Sequence, residues 1–215
     1  KKLVETVKNI FKIEDLRKRL IYTCLLILVY RLGCYVVIPG IDPNLLGEGS
    51  ALANQMDSNG LLGLLNVFSG GAFANAAIFA LGVMPYITAS IIIQLLGMMV
   101  PAVQKMMKEG ESGRRKMNQW TRLLTIGVLA LQGPAYVANL YHQMPEAFVY
   151  GNAFIFTVYA TIILIAGTMF VVWLGEKITD KGIGNGVSLI IMIGIVARLP
   201  HALLAELSAR LNTST

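Results

Sequence analysis

The side chains that could carry out acid–base or nucleophilic chemistry are scattered along this sequence rather than grouped. Glu176 and Asp180 stand four residues apart, which would place both carboxylates on one face of a helix. Lys177 and Lys181 directly follow them, however, so the four residues are typical of a charged helix end. No nucleophile is spaced from a base as a catalytic pair, and no acid lies inside an apolar segment. The pattern does not indicate an enzyme.

Metal-binding side chains are equally sparse, because histidine and cysteine each occur only twice. His142 and His201 are far apart, and neither belongs to a cluster with the spacing of metal ligands. Cys24 and Cys34 fall in one apolar run, where a helix would separate them by about 15 Å, beyond the reach of a disulfide. We therefore expect neither a metal site nor a cofactor.

Two glycine-containing segments match phosphate-binding loops only in part. In residues 182–186 (GIGNG), Val187 occupies the position of the third glycine of a dinucleotide fingerprint and no strand precedes, so a turn opening a helix is the better interpretation. Residues 108–116 (KEGESGRRK) lack the glycine spacing and the Lys-Ser or Lys-Thr of a P-loop. This basic segment is either a solvated loop or a docking surface for an acidic or RNA-bearing partner.

The composition is that of a membrane protein. Hydrophobic residues make up 55% of the chain and charged residues only 14%, whereas soluble domains average roughly 25% charged residues. The mean hydropathy is correspondingly positive, at +0.64. A net charge of +6 could suggest nucleic-acid binding, but the basic residues fall in blocks between apolar runs. That placement is typical of a membrane-topology signal.

The longest apolar stretch, residues 61–100, contains no charged residue and is broken once, by Ser-Gly-Gly at 69–71. A single crossing needs roughly 20 residues, so this stretch is too long for one. We predict a short helix over residues 61–68, a flexible break, and a spanning helix over residues 73–99 that Pro85 bends. Such an interrupted segment places irregular backbone at membrane depth, where it lines a cavity or is covered by protein.

The other apolar runs predict an all-α membrane protein with five crossings. An amphipathic helix on the membrane surface is expected over residues 1–19, a basic loop over residues 101–122, and a polar tail over residues 200–215. The predicted crossings are residues 20–38, 73–99, 123–141 with an interruption at Gly133 and Pro134, 153–174, and 187–199.

The basic residues predict the orientation of these crossings. Fifteen of the eighteen lysines and arginines lie in segments on one side of them, and none lies in the predicted outside segments 39–75 and 142–152. Because basic loops stay in the cytoplasm, the N-terminus is expected inside the cell and the end of the fifth crossing outside.

Arg31 is the ionisable residue that lies inside a predicted crossing, about two turns from the outer end. We expect it to snorkel to the interface rather than to meet a polar partner. Ion-coupled carriers usually place ionisable groups inside the bilayer. A small-solute carrier is therefore disfavoured, although it remains a rival hypothesis together with a scaffold that transports nothing.

Branched aliphatic residues recur at helical spacing in two predicted crossings. Val83, Ile87 and Ile91 follow one another at intervals of four residues, as do Val187 and Ile191, so each set falls on one helix face. By spacing alone, packing against lipid or other helices is the plainer interpretation. The alternative is a hydrophobic constriction that excludes water and ions.

Several segments together resemble the SecY family, whose members form the central subunit of the protein-conducting channel. This resemblance implies ten transmembrane helices in two inverted halves, of which this chain would be the N-terminal half with a re-entrant plug helix. The matching segments follow the family's order and spacing over nearly the whole chain: RLG at 31–33, IPGID at 38–42, FSGGAF at 68–73, FALGVMPYITASIIIQLL at 79–96, KEGESGRRK at 108–116 and GTMFVVWLGEKITDKGIGNGVSLII at 167–191.

The resemblance also implies roles for individual residues. A plug that re-enters from outside and stops the resting pore would comprise Leu61, Leu62, Leu64, Leu65, Phe68 and Gly70. One side of a lateral gate into the lipid would carry the polar residues Thr88, Ser90 and Gln94. This half's share of the pore ring would be Val83, Ile87, Ile91, Val187 and Ile191. Secondary contacts with cytosolic partners would come from Lys105, Lys108, Arg114, Arg115 and Lys116.

As a member of this family, the chain would help to conduct unfolded secretory polypeptides across the bacterial inner membrane and to release membrane segments sideways into it. It would be a passive channel rather than an enzyme. The implied partners are SecE-type and SecG-type small subunits, the SecA motor ATPase, the ribosome, a nascent polypeptide with its signal sequence, and membrane lipids.

Overall fold

The computed structural model describes residues 1–46, 54, 60–149 and 151–212. Within these residues the chain forms nine α-helices, two short 3-10 turns and no β-strand. Parts of the predicted outside segments (47–53, 55–59 and 150) and the last residues of the predicted tail (213–215) lie outside the described residues. The helices are α1 (Lys2–Lys12), α2 (Glu14–Gly33), α3 (Gly60–Phe68), α4 (Met84–Met99), α5 (Pro101–Lys108), α6 (Glu111–Gln143), α7 (Ala153–Lys181), α8 (Gly186–Val196) and α9 (Leu199–Asn212).

The first two helices divide the N-terminal region differently from the prediction. In α1, Leu3, Val7 and Phe11 recur at helical spacing and are each more than half exposed, which suits a helix lying on a membrane surface. The following helix begins at Glu14, inside the segment predicted to be a separate surface element, and it ends at Gly33 rather than at residue 38. After Gly33 the chain turns, and Val37 forms an isolated β-bridge with Ala77.

The predicted helix over residues 73–99 is wrong in its first half. The helix begins only at Met84, and the preceding segment, residues 69–83, is a succession of turns. Left-handed φ angles at Gly70 (67°), Gly71 (88°) and Gly82 (55°) break the helical path. Pro85 therefore stands in the first turn of α4, where a proline needs no hydrogen-bond donor, and it does not produce the predicted bend.

The turns of residues 69–83 are covered by protein, as irregular backbone in an apolar environment must be. The amide of Ile38 donates to the carbonyl of Ala76 (3.0 Å), and the amide of Ile78 donates to the carbonyl of Val36 (3.0 Å). From α6, the buried hydroxyl of Tyr136 donates to the carbonyl of Phe73 (2.7 Å). Main-chain and side-chain groups from outside the segment thus satisfy backbone groups that a helix would have satisfied internally.

Removing this tyrosine hydroxyl is expected to destabilise the fold. In Tyr136→Phe the buried carbonyl of Phe73 loses its partner, which costs about 1–3 kcal/mol. The measurement is thermal unfolding of the purified protein in detergent. Tyr141→Phe is the matched control, because Tyr141 is on the same helix and 43% exposed, and it should unfold as the wild type does. Equal stability of the Tyr136 variant and the wild type would contradict the expectation.

The predicted basic loop over residues 101–122 is helical for most of its length. It comprises α5 and the start of α6, and α5 is bent by 104° relative to α4. The bend falls at Val100, directly before Pro101, and residues before a proline disfavour the helical conformation. The predicted interruption at Gly133 and Pro134 is also wrong, because α6 continues through both residues to Gln143.

The last three helices extend the predicted crossings. The predicted crossing over residues 153–174 begins where expected, at Ala153, but α7 continues to Lys181 and leaves only a short turn before α8. Most of the predicted polar tail is helical, because α9 occupies residues Leu199–Asn212. Together α8 and α9 form one of the long apolar helical segments of the described chain.

The predicted count of five crossings is not confirmed. Three helical segments within the described residues are long and apolar enough to cross a membrane, namely α6, α7 and the α8–α9 segment, and the bent pair α4–α5 is a fourth candidate. The remaining predicted crossing is α2. Its apolar part, residues 20–33, is about 20 Å long, which is shorter than the roughly 30 Å of a bilayer core.

The core lies around the irregular segment. One cluster of buried residues joins it to α6 and α7, and a second joins it to α2, α7 and α8. In the second cluster the ring of Phe79 stacks on Tyr30 and on Phe170, with 5.9 Å between ring centroids in each pair. The segment that interrupts the long apolar stretch is therefore the packing centre of the protein.

Candidate functional site

Four of the five residues assigned to the pore ring meet at the second cluster. Val83 is buried within it, at 4% exposure, and Ile87, Val187 and Ile191 are partly buried and pack against it. The cluster's other members include Phe79, Val171, Leu174, Ile178 and Ile190. The fifth ring residue, Ile91, lies one turn along α4 and is 50% exposed.

The faces of α4 explain this distribution. Pro85, Ala89, Ile93 and Gly97 are buried at intervals of four residues, and α4 packs on α6 and α5. Ile87 and Ile91 are each two residues from the nearest members of that row, about 160° around the helix, so they lie on the opposite face, which is only partly covered. One side of α4 is thus anchored to the protein, and the face with the two isoleucines is left partly open.

The three residues assigned to the lateral gate do not share one face of α4. Thr88 is exposed, and its hydroxyl donates to the carbonyl of Met84 (3.0 Å), so its polar group is satisfied within the helix. Ser90 is half-buried and lies on nearly the opposite side of the helix from Thr88. Gln94 is exposed and four residues beyond Ser90, next to the face that carries Ile91.

Five of the six plug residues lie on α3, a short helix that packs on α8, and the sixth, Gly70, lies in the turn that follows. The outer face of α3 is apolar and open, with Leu61 75% exposed and Leu64 54% exposed, whereas Leu62, Leu65 and Phe68 are half-buried. The contact with α8 is close at Gly194, because a Cβ atom there would lie 3.1 Å from the carbonyl oxygen of Phe68. Gly194 stands three residues beyond Ile191, so the end of α3 packs next to the ring residues of α8.

Polar groups fix the end of α3 to the turns that follow. The buried Asn66 accepts from the amide of Ala74 (3.1 Å) through Oδ1, and its carbonyl accepts from the Ser69 hydroxyl (3.0 Å). The same hydroxyl accepts from the amide of Phe73 (3.1 Å). Sequence reasoning missed Asn66, although a single amide in a leucine-rich helix was a visible signal of a buried hydrogen-bonding role.

Arg31 reaches the same place from α2, and the prediction that it snorkels is wrong. Its Nη1 donates to the carbonyl of Gly70 (3.1 Å), and its Nη2 donates to the hydroxyl of Tyr35 (3.4 Å). A polar partner was available because the chain returns to α2 after α3, which brings the Ser69–Gly71 turn beside the guanidinium. Local sequence could not reveal this contact, which joins residues 39 positions apart.

The basic residues of the predicted cytoplasmic loop lie on α5 and at the start of α6. All five are exposed, and Arg115 forms an ion pair with Glu111 (3.2 Å). Further along α6, Arg122 pairs with Glu176 of α7, an ion pair that the sequence analysis did not find. Exposed helical residues suit a docking surface as well as a solvated face, so this alternative stays open.

A cavity of about 600 Å³ lies between this ion pair and the pore-ring residue Val187. Charged groups of both signs line it, including Arg114, Arg122, Glu176 and Asp180. Among the described residues, no three histidine, cysteine, aspartate or glutamate side chains are grouped as metal ligands. The cavity is thus lined by charged groups and adjoins the apolar cluster at Val187.

Comparison with known proteins identifies the family. A sequence model of the SecY family matches residues 77–214. The chain belongs to the SecY family. It is 46% identical over 201 residues to the protein translocase subunit SecY of Streptomyces scabiei and 43% identical over 198 residues to that of Thermotoga maritima. These matches cover 90% and 91% of this chain but 45% and 46% of the relatives.

Solved structures show the same fold at lower sequence identity. The chain superposes with a TM-score of 0.56 on Sec61 in the canine ribosome–channel complex from the endoplasmic reticulum, at 18% identity. It superposes equally well, at 19% identity, on a structure described as a protein-conducting channel. Each match covers 85% of this chain and 36% of the other. The all-α membrane fold predicted from the SecY resemblance is therefore confirmed.

The chain spans about half the length of the curated relatives that it matches. Its apolar helices and its family establish a multi-pass membrane protein. SecY is a channel family rather than a family of known enzymes.

Proposed function

We propose that this chain forms part of a passive channel for unfolded secretory polypeptides in the bacterial inner membrane, with a lateral exit for apolar segments. The observation that carries the proposal is the arrangement around α8. Ile191 packs against the same apolar cluster as Ile87 and Val187, and three residues further on, Gly194 receives the end of α3. In such a channel the pore-ring residues and the plug helix must be adjacent, as they are around α8.

Branched aliphatic side chains suit such a ring for a physical reason. A translocating polypeptide presents every type of side chain in turn, so its passage cannot offer specific polar sites. Apolar side chains deform around the polypeptide and exclude water and ions when the passage is empty. A signal helix enters the lateral gate because its apolar surface gains roughly 25 cal/mol per Å² on leaving water.

The orientation we propose places the N-terminus in the cytoplasm and the C-terminal end of α9 outside. The placement of the basic residues gives the direction, and contacts at the two ends of the helices support the grouping of the segments into two sides. The turn after α7, predicted inside, brings Gly182 against Thr23 near the predicted inner end of α2. At the other end, Ile41 forms a β-bridge with Phe148, and both residues belong to segments predicted outside.

Under this proposal the chain makes and breaks no covalent bond, so the energy for transport comes from partners. These are a SecA-type motor ATPase or the ribosome on the cytoplasmic side, and SecE-type and SecG-type small subunits in the membrane. The exposed basic residues Lys105, Lys108 and Lys116 on α5 and α6 provide secondary contacts for the cytosolic partners.

Site-specific photo-cross-linking tests this function. A photoreactive amino acid replaces Ile87 or Ile191 in a complete channel that contains this sequence, and a secretory polypeptide is stalled during transport. Both positions are expected to cross-link to the stalled polypeptide, because both line its path. Phe154 and Ile162 are matched controls on α7, where they are 77% and 62% exposed, and they should cross-link to lipid instead.

Two results would overturn the proposal. Equal cross-linking of the polypeptide to Ile87 and to Phe154 would mean that the apolar cluster does not line a passage. Saturable uptake of a small solute that depends on a pH or sodium gradient, with no polypeptide transport, would favour the carrier hypothesis instead.

A further inference from the structure

Two arginines from different parts of the chain lie beside the turn that ends α3, and one of them is bonded to it. Arg31 of α2 donates to the carbonyl of Gly70 (3.1 Å). On the other side, the guanidinium of Arg198, between α8 and α9, lies 3.4 Å from where a Cβ atom of Gly71 would be. Both arginines line one cavity of about 880 Å³ next to the turn. Positive charge is therefore concentrated where the plug helix ends.

The backbone conformation of the turn requires a residue without a side chain at position 70. Gly70 has a left-handed φ of 67°, and a Cβ atom there would lie 2.8 Å from Nη1 of Arg31 and 3.2 Å from the Cα of Gly194. Any other residue at this position would strain the backbone and push the guanidinium away. The contact between Arg31 and the turn is thus built into the local conformation.

The charges at this position favour the arginine. The C-terminal end of a helix carries a partial negative charge, and a cation placed there is stabilised. None of the described residues lining the cavity is an aspartate or a glutamate. The Gly70 carbonyl and the Tyr35 hydroxyl are the acceptors that the structure gives to Arg31. A guanidinium in mostly apolar surroundings is costly to leave without acceptors, so Arg31 favours the state in which α3 is in place.

We infer that Arg31 is a positioning residue for the plug: its bond to Gly70 holds α3 against α8, and α3 must break that bond in order to leave. This inference rests on the proposed function, in which α3 closes the resting channel. On this account, the strength of the hydrogen bond between Arg31 and Gly70 helps to determine how readily a weak signal sequence opens the channel.

The test uses a complete channel containing this sequence, reconstituted in lipid vesicles with its motor, and two secretory reporters. One reporter has an intact signal sequence, and the other has a signal sequence with a shortened apolar segment. The variants are Arg31→Gln, which removes the charge, and Arg31→Lys, which keeps the charge but not the forked guanidinium. Arg19→Gln is the matched control, because Arg19 is an exposed arginine on the same helix.

The position of α3 is measured separately. Spin labels are attached to cysteines introduced at the exposed positions Leu61 and Leu207, with Cys24 and Cys34 replaced by alanine. The distance distribution between the labels is recorded in each resting channel. A seated helix gives one narrow distribution, and a displaced helix gives a broad or shifted one.

Arg31→Gln is expected to increase export of the defective reporter about tenfold while export of the intact reporter is retained, and to broaden the label distances. Arg31→Lys should give an intermediate increase, and it carries the test if Arg31→Gln does not accumulate. Arg19→Gln should match the wild type. A purely structural role cannot produce this gain, because loss of folded protein lowers export of both reporters.

Three results would overturn the inference: unchanged label distances in Arg31→Gln, unchanged export of the defective reporter, or an equal loss of both reporters. Failure of the proposed function has a different signature. In that case the wild-type channel would not export even the intact reporter, whereas the label distances would still report whether Arg31 holds α3 in place.

Discussion

Gly186→Ala is expected to destabilise the protein by about 2–3 kcal/mol, because it separates two helices that touch through their backbones. A Cβ atom at Gly186, the first residue of α8, would overlap the carbonyl oxygen of Gly175 in α7 and lie 2.7 Å from its carbonyl carbon. No side-chain rotation relieves a clash with a main-chain carbonyl. In addition, the amide of Gly186 donates to the Thr179 hydroxyl (2.8 Å), and this bond would be lost when the helices move apart.

The measurement for Gly186→Ala is the temperature at which half of the purified, detergent-solubilised protein loses its size-exclusion peak. Gly127→Ala is the matched control, because Gly127 lies inside helix α6 and a Cβ atom there would meet nothing within 4 Å. The control should be as stable as the wild type or slightly more stable, since alanine favours a helix by about 1 kcal/mol over glycine. If both variants behaved alike, α7 and α8 would not be in the close contact described.

This close contact also matters for the proposed passage. A methyl group at Gly175 would lie 2.9 Å from Cγ2 of Val187, so the two glycines set where Val187 stands relative to α7. The arrangement of the apolar cluster therefore depends on small residues one helix away. Replacing either glycine would change both the stability of the protein and the position of Val187. A loss of transport in such a variant is therefore interpretable only when its stability is known.

Helix existence could be predicted from the sequence wherever apolar runs were long or clearly bounded. The short helix α3 begins one residue before the prediction, at Gly60, and α7 begins at the predicted Ala153. Both are bounded by glycine, asparagine or serine, which locally favour helix ends. By contrast, the charged ends of α6 and α7 were assigned to loops, and that of α2 to a separate surface helix, because hydropathy marks the limits of the membrane and not the limits of a helix.

The irregular segment, residues 69–83, could not be predicted for a different reason. Its composition is as apolar as that of the helix that follows, and hydropathy does not distinguish a buried turn from a buried helix. The groups that stabilise it, the amide of Ile38 and the hydroxyl of Tyr136, are distant in sequence. Tertiary hydrogen bonds thus decide the local conformation, and the sequence of the segment itself carries only the glycines as a signal.

Within the candidate site, residue types could be predicted better than their contacts. Spacing alone placed Val83 and Ile87 on one face, and the structure brings both to the same cluster as Val187 and Ile191. The bond between Arg31 and Gly70 and the pair of Arg122 with Glu176 were missed. Both are long-range contacts between charged or polar groups, whose partners depend on how helices are arranged.

The combined replacement Ile87→Asn and Ile191→Asn is expected to make the resting channel leak ions on the order of tenfold or more above the wild type. Both isoleucines are partly buried against the apolar cluster and come from different helices, α4 and α8. An amide at each position offers hydrogen bonds to water, so the constriction no longer excludes water when empty. The measurement is ion conductance of complete channels in a lipid bilayer without a translocating polypeptide.

Ile92→Asn is the control for this leak, because the same change is made on the same helix at a residue that is 37% exposed and turned by about 140° from Ile87. It should leave the resting conductance unchanged. The plug and the ring would block the same passage in series. We therefore expect the double asparagine variant to leak less when Arg31 is intact and α3 is in place than when Arg31→Gln is added. If the two asparagines changed neither conductance nor polypeptide export, the apolar cluster would be a packing core only, and a scaffold that transports nothing would be the better account of the chain.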